Sequence, residues 1–496
     1  MEHKNYIGGK WVDSETGRTF ESLDPANGDV VGVVPSSSAV DVDRAVKAAA
    51  AAFQRWRLTP ASKRGEILFR VGQLLQERKE YLSQLVTREM GKVIAEGRGD
   101  VQEAIDMTFY MAGEGRRLFG HTVPSELPDK FATSQRDPIG VVAAITPWNF
   151  PIAIPSWKLT AALVCGNTVV FKPASDTPVL AAELVKLYEE AGLPPGVLNL
   201  VIGSGSEVGD ALVNHPDVDV ISFTGSTETG RTVLTETSIR MKRVSLEMGG
   251  KNAIMVMEDA DLDLAVEGIL WSAFGTSGQR CTAASRVIVQ RSVEKDLTGR
   301  LVERAKRMRL GHGLDPNTDL GPVINARQLQ KIHEYTLVGL QEGAVLLTGG
   351  QVASEGILSR GYFYPPTIFG AVRPEMRIAQ EEIFGPTTVI IPVDSLEEAI
   401  QVNNGTRYGL SSSIYTRDVS KAFKAIRDVT TGLIYVNAGT IGAEIQLPFG
   451  GTRGTGNGHR EAAWTALDVF TEWKSVYVDY SGRLQRAQID ALEGIG

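Results

Sequence analysis

Apolar positions recur along this chain in several rhythms, and each predicts a different kind of element. At the start the rhythm is short, and Tyr6-Ile-Gly-Gly-Lys-Trp-Val12 reads as a hairpin turning at Gly8-Gly9. From Ser38 the spacing becomes helical. Ser38-Ala-Val-Asp41 has the form of a capping box, and the alanines at 48–52 with Phe53 and Trp56 supply an apolar side. A second helix is expected from about Pro60, with Ile67, Leu68, Val71, Leu74 and Leu75 on its buried face and a continuation past Leu82 and Leu85. A third is expected over about Val93–Phe119. These three read as scaffold without assigned chemistry. Residues 120–138 then lose the helical period and carry three prolines, so Lys130–Arg136 reads as an extended arm or a surface loop.

From Ile139 the rhythm changes again. Val141-Val-Ala-Ala-Ile145 is a continuous apolar run, as expected of a strand buried on both faces. Similar runs at 168–171, 198–202, 220–223, 243–246 and 253–256 are separated by helical stretches, which predicts a doubly wound α/β sheet. Residues 262–450 repeat the alternation in a second block. The tail strand around Val476 and Val478 has no obvious partner in either block and could pair with the 120–138 arm, across a subunit boundary. The partition expected is a Rossmann-type nucleotide domain over 1–120 and 139–249, a second α/β domain over 250–450, and an oligomerisation arm from 121–138 and 470–496.

Doubly wound sheets bind ligands at the carboxyl ends of their strands. There Gly203-Ser-Gly205-Ser-Glu-Val-Gly209 follows a strand, in the spacing GxGxxxG rather than the usual GxGxxG. Phe223-Thr-Gly225-Ser226 follows another, with Ser226 as an expected N-cap beside free amides that suit an anion. Lys172 ends a third, where a cation reaches a ribose or phosphate. Cys281, one of two cysteines, lies in Phe274-Gly-Thr-Ser-Gly-Gln-Arg-Cys-Thr282 among small residues. On this stretch alone, a nucleophile and an inert buried thiol are both open readings.

Composition narrows the class. The chain has 496 residues, 43% of them hydrophobic, which is ample for a large core. A net charge of −8 argues against nucleic acid or an anionic membrane as partner. No stretch reaches the length of a membrane span, and the first ten residues lack a signal-like apolar core. Two cysteines provide neither a disulfide framework nor metal-ligand spacing, and a reactive thiol suits a reducing, cytoplasmic setting.

Seven stretches in order resemble the motifs of the NAD(P)-dependent aldehyde dehydrogenase superfamily. They are Pro147-Trp-Asn-Phe-Pro151, Phe171-Lys-Pro173, Phe223–Ser226, Glu247-Met-Gly-Gly-Lys251 (Met248 standing where Leu is usual), Gly278-Gln-Arg-Cys281, Glu382-Ile-Phe-Gly-Pro386 and Pro448-Phe-Gly-Gly451. The resemblance implies that fold, a small-molecule aldehyde substrate, a homodimer or homotetramer, and oxidation through a thioester. It implies Cys281 as nucleophile, the Asn149 side chain with the Cys281 N–H as oxyanion donors, and Glu247 as general base. It further implies Trp148, Lys172, Ser175, Gly205, Gly209, Gly225, Ser226, Glu382 and Phe384 around the cofactor. Lys158 resembles a lysine that some members place in a proton path. Ser175 stands where NAD-preferring relatives often carry Glu, so NADP is favoured, with NAD also accepted.

Two features bear on substrate. Arg280 precedes the nucleophile, as in members that act on charged aldehydes, and a structural ion pair is the competing reading. Gly442 and Ala443 lie in Thr440-Ile-Gly-Ala-Glu-Ile445, which resembles the carboxylate-anchoring loop of α-aminoadipic semialdehyde dehydrogenases of the antiquitin type. Together they point to a semialdehyde with a distal carboxylate. The rivals are a broad aldehyde scavenger, a non-catalytic nucleotide-binding relative, and a cysteine hydrolase, although none of the six histidines sits in a matching motif. One departure leaves a residue unassigned: Gly458-His-Arg-Glu461 carries one residue more than the family's spacing after Phe449-Gly-Gly451.

Overall fold

The computed structural model describes residues 2–490. Two seven-stranded sheets and a three-stranded arm account for most strands among them. The first sheet runs Arg243–Glu247, Val220–Thr224, Val141–Ile145, Thr168–Lys172 and Leu198–Leu200, all parallel, and ends in the antiparallel pair Asn5–Ile7 and Lys10–Val12. Its central strands are buried at every position, which is why they read as unbroken apolar runs. The second sheet places Asn252–Val256 between Ala284–Gln290 and Ser411–Tyr415, all parallel.

Only four residues, 248–251, separate the end of Arg243–Glu247 from the start of Asn252–Val256. The carboxyl edge of the first sheet therefore meets the amino edge of the second, and the site forms at that seam. Chain order in the first sheet reverses between Val141–Ile145 and Val220–Thr224. That switch point opens a crevice beyond the strand ends, into which Pro147–Asn149 and Gly225-Ser226 project.

Some expectations are corrected. The capping box is present: the Ser38 side chain accepts from the first turn, and Asp41 Oδ2 accepts from the Ser38 N–H at 3.0 Å. The second helix does not continue through Leu82. Arg78 leaves helical geometry (φ −107°, ψ 14°), dividing the stretch into Ala61–Glu77 and Lys79–Met90. The next helix, Ile94–Glu114, stops short of Phe119, which is exposed, so its apolar character does not extend the buried face. A strand at Thr367–Gly370, masked in sequence by Pro365-Pro366, joins the second sheet. The tail strand Thr471–Asp479 pairs antiparallel with Lys130–Pro138 of its own chain over nine residues, so the arm closes within the subunit. Positions 491–496 of the expected arm lie outside the described residues. No helix among the described residues is long and apolar enough to cross a membrane.

Candidate active site

The backbone just ahead of Cys281 is tightly constrained. After the helix Leu262–Phe274, Thr276 (φ 53°) and Ser277 (φ 54°) are both left-handed, followed by Gly278 at φ 67°. Two consecutive side-chain-bearing residues in this region are costly and persist only where surroundings fix them. Here the Thr276 N–H donates to Glu96 Oε1 (2.8 Å) and the Ser277 hydroxyl to the Gly321 carbonyl (2.6 Å). Gly278 is required by space, since a Cβ would lie 2.1 Å from the Gly385 carbonyl oxygen.

Beyond the turn, every carbonyl from Gln279 to Ala283 is held. Gln279 O accepts from Asn149 Nδ2 (3.0 Å), Arg280 O from the Ala283 N–H (3.1 Å), and Thr282 O from the Thr440 hydroxyl (2.7 Å). Asn252 Nδ2 bridges Cys281 O (2.7 Å) and Ala283 O (3.0 Å). The tethered strip presents the Cys281 thiol to two cavities at once. Burial pushes that thiol up to about 12, nearby Glu247 and Glu382 add to the rise, and the Thr282 N–H opposes it. A thiol held so high needs a base to become a nucleophile.

The first cavity, about 180 Å³, is lined by Trp148, Asn149, Gly225, Ser226, Cys281, Glu382 and Phe384, together with Gln328 and Lys331 from the helix Ala326–Gln341. Ser226 caps the helix Thr227–Ser238 by accepting from the Thr229 N–H. Trp148 and Phe384 meet edge-on, centroids 5.5 Å apart. Glu382 Oε1 accepts from the Gly250 N–H at 3.0 Å. Lys172, Ser175, Gly205 and Gly209 are not in this cavity. Lys172 lies against Gly209, where a Cβ would sit 3.7 Å from Lys172 Cε, and Ser175 Oγ donates to the Gly203 carbonyl at 3.1 Å. Gly205–Gly209 is a single π-turn before the short helix Asp210–Asn214. The Lys172 ammonium is buried and, among the described residues, donates only to the Pro173 carbonyl; burial lowers it to about 8. A buried cation so poorly paired fits a polar ligand, as a dinucleotide ribose would be.

The second cavity, about 110 Å³, is lined by Glu103, Phe150, Trp157, Glu247, Arg280, Cys281, Gly442, Ala443, Phe449 and Glu461. Neither carboxylate oxygen of Glu247 has a hydrogen-bond partner among the described residues. Burial raises it well above the ordinary carboxyl range, neighbouring Glu461 adds to this, and Lys158 opposes it. Gly450 leaves the space Glu247 occupies, since a Cβ there would approach Oε1 to 2.6 Å. Glu461, unassigned from sequence, pairs with the buried Lys158, which also donates to the Ser222 hydroxyl at 3.1 Å. The extra residue before Glu461 is absorbed because the loop is pinned at both ends. Asn457 accepts from the Leu246 N–H (3.0 Å) and donates to Val244 O (2.6 Å), while Phe449 and Glu461 exchange backbone hydrogen bonds at 2.7 Å.

Arg280 is engaged as an ion pair. Its Nη2 lies 3.0 Å from Glu96 Oε1, its Nε donates to the Thr276 hydroxyl (2.9 Å), and Trp271 lies beneath it at 4.9 Å. It still lines the cavity. Glu103 comes from the helix read as scaffold, and burial raises its carboxyl to about 8. The signal was present in sequence: Glu96, Asp100 and Glu103 are acids in phase with the buried face of that helix.

This site stands within a family already known. Residues 11–476 match the aldehyde dehydrogenase family, and the chain belongs to it. It is 43% identical over 475 residues to the α-ketoglutaric semialdehyde dehydrogenase of Bacillus subtilis, covering 96% of this chain and 97% of that protein. It is 40% identical over 480 residues to the 2,5-dioxopentanoate dehydrogenase of Saccharolobus solfataricus, covering 96% and 99%. A crystal structure of betaine aldehyde dehydrogenase from Staphylococcus aureus in complex with NAD+ superposes with a TM-score of 0.95 at 34% identity, covering 97% of this chain and 96% of that one. The chain is an aldehyde dehydrogenase in fold and in activity class.

Proposed function

We propose that this chain oxidises an ω-semialdehyde bearing a distal carboxylate to the corresponding diacid, using NADP by preference and NAD as well. The observation that carries this reading is one shared cavity, where Cys281 and Glu247 meet Arg280, Gly442 and Ala443. Two relatives at 40–43% identity, named for α-ketoglutaric semialdehyde and 2,5-dioxopentanoate, support an aldehyde of this kind.

In this reading Glu247 takes the Cys281 proton and the sulfur attacks the aldehyde carbon, forming a C–S bond. Of the two Asn149 amide protons, one is committed to Gln279 O, which leaves the other for the oxyanion beside the Cys281 N–H. A nicotinamide dinucleotide bound in the first cavity would supply a hydride acceptor, and the adduct on Cys281, on losing hydride from its carbon, becomes a thioester. Lys172, Ser175, Gly205 and Gly209 would hold its adenosine side, Gly225 and Ser226 its pyrophosphate, and Glu382, Trp148 and Phe384 its nicotinamide end. Glu247 first passes the Cys281 proton on toward the Lys158–Glu461 pair, then draws a proton from water, whose oxygen attacks the thioester carbon. The C–S bond breaks, the acid leaves, and the Lys158–Glu461 pair behind Glu247 offers the proton a way out.

A broad-specificity scavenger is the second reading. The aromatic walls Phe150, Trp157 and Phe449, and the commitment of Arg280 to Glu96, favour it. The deciding test is NADPH and NADH formation across succinic, α-ketoglutaric and α-aminoadipic semialdehydes, glyceraldehyde 3-phosphate, hexanal and benzaldehyde. A strong preference for one semialdehyde supports the carboxylate reading; equal kcat/KM across the panel overturns it.

A further inference from the structure

The loop that carries Asn149 is held by two buried charges from elsewhere in the chain. Residues 146–152 link the strand Val141–Ile145 to the helix Ala153–Cys165, and that helix has no side-chain cap at Ile152. Lys92, just ahead of the helix Ile94–Glu114, donates to the Asn149 carbonyl (2.8 Å) and to Asp100 Oδ2 (2.9 Å). The other oxygen of Asp100 accepts from the Ala153 N–H (2.9 Å). The Lys92 ammonium also lies 3.9 Å from the centre of the Phe150 ring. Both charged side chains are 0% exposed.

We propose that the Lys92–Asp100 pair is a positioning device for the oxyanion donor, fixing the Asn149 carboxamide by holding its loop at both ends. The inference rests on the reading of Asn149 as that donor. Buried ion pairs are poor sources of stability, because desolvation consumes most of the attraction. This pair instead spends its hydrogen bonds on a segment that no regular element holds. The Asn149 side chain is itself anchored, through Nδ2 to Gln279 O, to the strip that carries Cys281. A shift in its backbone therefore displaces the amide relative to the sulfur, and a displacement of about 1 Å costs up to ~10²-fold in rate.

A double-mutant cycle in the full-length enzyme with NADP tests this. Lys92→Met with Asp100→Asn exchanges the charged pair for a neutral one of similar volume, and the amide oxygen left by Asp100→Asn still accepts from the Ala153 N–H. This change is expected to lower kcat by about 10- to 100-fold with KM within about threefold. Added to Asn149→Ala, it should cost less than about twofold more, because the group it positions is gone. An equal loss in both backgrounds, or no loss in either, overturns the proposal. If the paired substitution does not fold, Lys92→Met alone, which removes the donor to the Asn149 carbonyl, carries the same cycle with the same two outcomes. Should Asn149→Ala itself leave kcat unchanged, the oxyanion reading falls, which is a separate result from additivity.

Discussion

The two cavities that meet at Cys281 are built by different means. The cofactor-side cavity is mostly local structure: strand ends, the Ser226 cap, the close approach of Glu382 to Gly249, and short motif stretches. The aldehyde-side cavity gathers long side chains from distant segments: Glu103 from one helix, Trp157 from another, and Phe449 and Glu461 from a late loop. Backbone turns that must fit an invariant ligand leave short, ordered signatures. A wall that must fit one particular substrate also draws on packing, so Glu103 and Trp157 lie outside the compact motifs.

The sharpest way to break this division is at the group both cavities share. Cys281→Ala should abolish dehydrogenase turnover by about 10⁴-fold or more while the fold, read by circular dichroism, stays intact. Turnover near wild type would remove the mechanism altogether. The second cysteine is the control. Cys165 is buried in the core, its thiol is also raised to about 12 by burial, and it touches neither cavity.

Glu247→Gln comes next and affects only the aldehyde side. Loss of a general base typically costs about 10²–10⁴-fold, here expected in kcat. The same substitution should change stability with pH. In the unfolded chain this carboxyl ionises in the ordinary range, whereas the folded state holds it protonated to higher pH. Its contribution to stability is therefore present below the ordinary range and is lost as pH rises toward the folded value. The Gln variant escapes that loss. Its apparent Tm should match wild type at about pH 4 and exceed it at about pH 8. An equal Tm at both would mean that Glu247 is not held protonated.

The same contrast explains what the sequence could disclose. The doubly wound alternation was legible because central strands such as Val141–Ile145, Thr168–Lys172 and Asn252–Val256 are buried on both faces, leaving apolar runs. Cys281, Asn149 and Glu247 were singled out because each lies in a compact motif. The aldehyde-side residues were hidden by context. Glu96, Asp100 and Glu103 recur in phase with the apolar face of a helix read as scaffold, and the fold shows what that inward face contacts. Glu461 was obscured by a one-residue insertion whose effect depends on how Asn457 pins the loop, which is a tertiary fact. The break at Arg78 and the pairing of the arm within its own chain are likewise decided by packing.

Ser175→Glu sharpens the cofactor side. The Ser175 hydroxyl now donates to Gly203 O, and its neighbour Asp176 is turned toward Asn325 Nδ2 at 2.8 Å. A new carboxylate at 175 would repel a 2′-phosphate and accept from a 2′-hydroxyl. The expected result is a fall of about 10²-fold in kcat/KM for NADP, with NAD unchanged or improved. Equal losses with both cofactors would place the 2′ position elsewhere.

The smallest expected effect bears on Arg280, where the two readings of the aldehyde side collide. Its guanidinium already serves Glu96 and Thr276, so removing it alone would strand Glu96 as a buried, unpaired carboxylate and disturb the left-handed turn at Thr276. Such damage would lower activity on every aldehyde and say nothing about recognition. Arg280→Ala is therefore best made together with Glu96→Gln, whose amide oxygen can still accept from the Thr276 N–H. Among the described residues three of the five guanidinium donors have no partner, enough to reach a carboxylate in the cavity. If they do, KM for α-ketoglutaric semialdehyde should rise about tenfold in the double variant, the scale of one charge-assisted hydrogen bond, while hexanal is unaffected. A rise shared by both aldehydes would make Arg280 a brace for the nucleophile loop. Recognition of the distal carboxylate would then fall to the Gly442 and Ala443 amides alone.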